Sequence, residues 1–133
     1  MQEKWSIRLI RISAIFGLIG AFLGSHMAGA GSYAFRPIHA HILVVGWLSV
    51  FAWGIFYKLF KVRAKKIVTF HAFTAIIGSI GLTAGMWFQF MQPFGVNETF
   101  SLIFYIVGGS ILLISFVLFV LLTFLIEKEG RRS

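Results

Sequence analysis

Residues Ser101 to Ile126 read SLIFYIVGGSILLISFVLFVLLTFLI, an apolar run without a single charged side chain. A helix needs about 20 such residues to cross a hydrocarbon core about 30 Å thick, so this stretch predicts a membrane span. Working outward, three more stretches of the same kind run from Ile7 to Ala28, Ile38 to Phe60 and Ile67 to Met91. The breaks between them carry turn punctuation. Gly29, Gly31 and Ser32 end the first helix, Pro37 opens the second, and Gln92-Pro93-Phe94-Gly95 turns the chain between the third and fourth. The fold class expected is therefore all-α, an integral membrane four-helix bundle forming one domain over residues 1–133, with short connections that make successive helices antiparallel.

Composition agrees with this. Of 133 residues, 59% are hydrophobic and 12% charged, with 16 Phe and 4 Trp, where a soluble domain carries roughly a quarter charged residues. Mean hydropathy is +0.91. These values exclude a soluble enzyme, a disordered tail and a nucleic-acid binder, although the net charge is +8. The first segment is read as a retained span, since Arg8 and Arg11 lie inside its start and a cleaved signal would remove a helical partner.

Eleven of the twelve basic residues fall on one side of this topology: Lys4, Arg8 and Arg11, then Lys58, Lys61, Arg63, Lys65 and Lys66, then Lys128, Arg131 and Arg132. Arg36 stands alone on the other. Positive residues mark the cytoplasmic side, so both termini are expected in the cytoplasm, with the protein multi-pass in a bacterial-type inner membrane. The lipid bilayer is the expected surrounding, and no nucleic acid is a partner.

Chemistry inside the bundle is restricted by what is missing. Glu3, Glu98, Glu127 and Glu129 all lie at loops or ends, which argues against a carboxylate proton relay, and no cysteine is present for a disulfide, an iron-sulfur cluster or a thiolate metal site. Four histidines remain. His26 ends the first helix and His39 and His41 begin the second, so three imidazoles fall near the outer face, while His71 lies about a turn into the third helix toward the cytoplasm. At about 1.5 Å per residue, His39 and His71 are roughly 20 to 25 Å apart along the membrane normal, which separates two sites.

Helical phase orients them. His39 shares a face with Leu43, Gly46, Val50, Trp53, Gly54 and Tyr57, an inward face with small residues; His41 lies with Val45, Leu48, Ala52, Ile55 and Leu59, toward lipid or another subunit. His71 shares a small-residue seam with Thr74, Gly78, Gly81 and Gly85, and the first helix carries a seam of Gly17, Gly20, Ala21 and Gly24 with His26 on its far side. Imidazole suits iron, copper and zinc, and histidines across a helical bundle are a usual way to hold haem.

The segment Arg36-Pro37-Ile38-His39-Ala40-His41, followed by apolar residues and Gly46-Trp47, resembles the start of the second helix in catalytic subunits of the haem-copper oxidase superfamily, most closely the C-type oxidases and their nitric oxide reductase relatives. The likeness covers the first two helices and their loop. It implies that His39 is an axial ligand to a low-spin haem b. The later helices that carry the family's second haem ligand and its copper site have no counterpart here, so an oxygen- or nitric-oxide-reducing centre is not implied. The partner of His39 is then His26, His41 or a second copy of His39 across a twofold axis. His71 is the candidate for a second haem shared with another chain.

The leading expectation is thus a b-type cytochrome-like protein, carrying electrons or binding a diatomic gas, as a homo-oligomer or a subunit of a larger membrane complex. Trp47, Trp53 and Tyr57 would wall the macrocycle and Arg36 would pair with a propionate. Two alternatives stand beside it. One is an outer copper site of His26, His39 and His41 with Met27 or Met91 as a soft ligand. The other is an accessory subunit of a respiratory complex without a cofactor of its own. No catalysis is expected of the chain by itself.

Overall fold

The computed structural model describes residues 1–128; Glu129, Arg131 and Arg132, counted above among the terminal charges, lie outside the described residues. Four helices long and apolar enough to cross a membrane follow one another: α1 (Gln2–Ala30), α2 (Arg36–Leu59), α3 (Lys65–Met91) and α4 (Glu98–Phe124). Their boundaries follow local chemistry. Gly31, in the left-handed region at φ 63, stops α1, and Pro37 sits in the first turn of α2. Gln92 takes φ 43 to stop α3, a short 3₁₀ turn covers Pro93–Gly95, and the Asn97 side chain accepts the Phe100 amide at 3.1 Å to cap α4.

The helices form two antiparallel hairpins, and glycines set how closely each closes. A Cβ built on Gly78 would stand 2.5 Å from the Leu112 amide nitrogen of α4, and one on Gly85 would stand 2.6 Å from the Tyr105 Cα. Gly81 and Gly108 meet between these two points. Partner numbers fall as glycine numbers rise, the register of an antiparallel pair. In the α1/α2 hairpin Gly17 accepts the Trp47 ring, Gly20 accepts Leu43 and Gly24 accepts His39. The expected seam holds at its glycines, while Ala21 is exposed. Close backbone approach of this kind is how helices associate where lipid removes the hydrophobic drive between them.

The middle of α2 departs from an α-helix. Ile42–Ser49 is π-helical: the Val50 amide donates to the Val45 carbonyl, and Ser49 Oγ donates to the Val44 carbonyl at 2.9 Å. The wider turn changes the phase read from the sequence. Val45, expected on the outward face with His41, is buried beside Gly46, whose missing side chain is replaced by the Phe16 ring.

The α3 helix packs against α1 and α2, with Trp5 edge-on to Phe73 at 5.0 Å. A core of Leu9, Val50, Trp53, Val68, Ala72 and Leu122 fills the half nearer the α2–α3 loop. Phe16, Ile38, Ile42 and Met86 fill the other. Outward residues such as Leu18, Phe22, Leu113 and Val117 stay exposed, an apolar band of the kind a membrane-crossing helix would present to lipid.

The terminal end is tied together. The Gln2 amide donates to the carbonyls of Tyr57 (3.1 Å) and Phe60 and accepts from the Val62 amide at 3.3 Å. The loop between α2 and α3 also pairs with the chain after α4, through Glu127 to Lys61 at 2.8 Å and Arg63 to Leu125 at 3.3 Å. Both ends of the described chain therefore meet the α2–α3 loop at one end of the bundle.

Candidate functional site

The histidines occupy two separate places. At the end away from Gln2 and Glu127, Pro37 starts α2 and sets His39 and His41 in its first turns. His39 is half-buried, its ring against Gly24: a Cβ there would fall 2.9 Å from Cε1. Its Nδ1 is buried and has no hydrogen-bond partner. His41 differs. Its Nδ1 lies 2.8 Å from the Pro37 carbonyl, which can only accept, so in neutral imidazole the proton sits on Nδ1 and Nε2 keeps the lone pair. A backbone carbonyl behind one ring nitrogen is the usual support of a metal-binding histidine.

His26 is exposed, stacked on Phe22 at 6.4 Å and edge-on to Phe35 at 6.3 Å. Between α1, α2 and α3 lies an apolar chamber of about 610 Å³ walled by Phe16, Leu23, Phe35, Ile38, Ile42 and Trp87. Its volume is that of small-molecule sites in general. Thr83 also lines it, with its hydroxyl donated to the Ser79 carbonyl at 2.8 Å. The chamber adjoins the histidines without being lined by them: Ile38 and Leu23 are the chain neighbours of His39 and Gly24, and Phe35 carries His26 on its edge.

Arg36 is exposed beside Phe35, its guanidinium 4.9 Å over the Tyr33 ring. Trp47, expected as a wall of the macrocycle, packs instead on Gly17 and stacks on Phe51 at 5.4 Å. Among the described residues no three His, Cys, Asp or Glu side chains come together as a metal site, so one chain does not assemble the copper set of His26, His39 and His41. Met27 is buried, and Met91 packs with the Phe16 cluster.

The second place surrounds His71. Its ring has no exposed surface, and Nδ1 lies 2.5 Å from the Tyr57 hydroxyl. Trp53 meets it edge-on at 4.9 Å, with Tyr57 and Phe119 each at 5.7 Å. Its buried Nε2 has no partner. Trp53 and Tyr57, expected to wall a haem at His39, thus enclose His71, because the inward face of α2 passes from one half of the bundle to the other along its length. The ring is thus enclosed by side chains of α2 and α4 against its own helix α3.

Sequence reading missed the Tyr57–His71 contact and Phe119. The contact had a signal: both residues lie within a few turns of the short loop joining two antiparallel helices. Phe119 had none, being one of many aromatics on α4.

No family model matches the chain, and neither a curated protein nor a solved structure matches it.

Proposed function

We propose that the chain is a multi-pass membrane protein that binds haem b through His39 and serves electron transfer or diatomic-gas binding, with both termini on the cytoplasmic side of a bacterial-type inner membrane. The observation that carries this reading is a half-buried imidazole with an unpartnered buried nitrogen, held against a glycine beside an apolar chamber of about 610 Å³. The residues fit one axial ligand rather than a pair. Bound haem supplies an iron that changes oxidation state or takes a gas molecule.

The chain's own residues would do the rest. Phe16, Phe35 and Trp87 would give the macrocycle apolar surroundings, and Arg36, exposed beside Phe35, would be placed for a propionate. His26 flanks Phe35, and His41, with its Nδ1 engaged by Pro37, would keep Nε2 for a ligand contact. With a second ligand residue beside His39 the group would serve electron transfer; with His39 alone it would be free to bind a gas.

A second reading, an accessory subunit without its own cofactor, is favoured by the dispersal of the four histidines and the absence of a three-donor group among the described residues. Visible absorbance separates the two. Purified protein supplied with haem gives a Soret band that moves on reduction, and His39→Ala abolishes it while His71→Phe leaves it in place. A wild-type chain that folds yet takes up no haem supports the accessory reading and refutes ours.

A further inference from the structure

One end of the molecule gathers cations from three segments that are far apart in sequence. Lys4 lies on the first turn of α1, Lys61 and Arg63 on the α2–α3 loop, Lys65 and Lys66 on the first turn of α3, and Lys128 beyond α4; all six are exposed. Near them among the described residues stand two carboxylates, Glu3 and Glu127. Glu3 is held by Lys58 at 2.6 Å. Cations at the start of a helix also oppose its dipole, so Lys65 and Lys66 gain from a nearby counter-charge.

We propose that this end is a docking surface for the phosphates of anionic phospholipids. Three features favour lipid over an acidic soluble protein. The cations ring the end of spans whose flanks are apolar. Leu59, Phe60 and Phe124 are exposed beside them, a pairing of charge with grease that matches a lipid headgroup and its chains. The surface is also preformed, because Gln2 and the Lys61–Glu127 and Arg63–Leu125 bonds fix the loop against the start of α1 and the residues after α4. Anionic lipid then acts as a fifth element joining α1, the loop and the end of α4, and it stabilises the fold beyond setting its orientation.

The test uses the full chain purified in a neutral detergent. Phosphatidylglycerol and phosphatidylcholine of equal chain length are titrated in, with inorganic phosphate as a third arm, while thermal unfolding and lipid retention in native mass spectrometry are followed. Phosphatidylglycerol is expected to raise the unfolding midpoint and to be retained at least about tenfold better than phosphatidylcholine, in a way that fades at high salt. Lys61→Gln/Arg63→Gln is expected to lose most of that preference. Gln2→Ala keeps every cation and is expected to lower it, which separates a preformed surface from bare charge. Equal retention of the two lipids overturns the proposal. So does an equal shift from inorganic phosphate alone, or capture of a polyglutamate peptide in place of lipid. The haem experiment addresses the opposite end, and either can fail without the other.

Discussion

Replacing Gly78 by Ala adds one methyl group at a close backbone contact of the α3/α4 hairpin, against a partner that cannot rotate away. The new Cβ would lie 2.5 Å from the Leu112 nitrogen, 2.6 Å from its Cα and 2.9 Å from its Cβ, where ordinary contact begins near 3.4 Å. The shortfall of roughly 1 Å has to come from separating the two helices. A radial gap of about 0.5–1 Å forfeits a quarter to a half of each dispersion contact, and the displaced contacts include Gly81 against Gly108 and Gly85 against Tyr105. Overpacking of this kind costs about 1–3 kcal/mol, which is roughly five- to 150-fold in the unfolding equilibrium. Gly109→Ala is the control, because its Cβ would meet Leu82 Cδ1 at an ordinary 3.5 Å. It is expected to stay within about 0.5 kcal/mol of the parent. Unfolding in mixed micelles by a denaturing detergent, followed by tryptophan fluorescence, measures both. Equal stability of Gly78→Ala and the parent, or an equal loss in Gly109→Ala, would show that the hairpin does not close through its glycines.

Other outcomes follow from single contacts. Tyr57→Phe removes the partner of His71 Nδ1 from a sealed site and is expected to cost about 1–3 kcal/mol, whereas adding His71→Phe removes the stranded group, so the double variant loses less than the singles combined. Strict additivity in that cycle would mean the two side chains do not interact. Asn97→Ala removes the cap on the Phe100 amide and is expected to cost about 1 kcal/mol, with Asn97→Asp close to neutral; hydrogen exchange at the start of α4 reports it, and unchanged exchange in the Ala variant refutes the cap.

The architecture was legible in one dimension because a helix able to cross hydrocarbon needs length and apolarity, and both can be counted along the chain. The segment from Ser101 to Ile126, the stop at Gly31, the proline start of α2 and the turn at Gln92 each follow from local rules, and the structure places all four helices within a few residues of those expectations. The inward direction of His39 was also legible, since its face repeats through Gly46, Val50 and Trp53. What lies opposite a face was not. Periodicity gives the side of a helix and never its partner, so it did not foretell that His39 would meet Gly24 or that Trp53 and Tyr57 would close around His71.

The π-helical stretch of α2 marks the same divide. An i→i−5 turn in Ile42–Ser49 moves Val45 into the core, and it forms where Gly46 leaves room for Phe16 of another helix. The amino-acid order alone determined four long apolar helices, their ends and the gathering of positive charge on alternate connections, because each depends on residues close together in the chain. Tertiary packing alone decided which imidazole is sealed, which stands beside a chamber, and that the α2–α3 loop is locked to both ends of the described chain, because those contacts join separate helices and exist only once the helices have met.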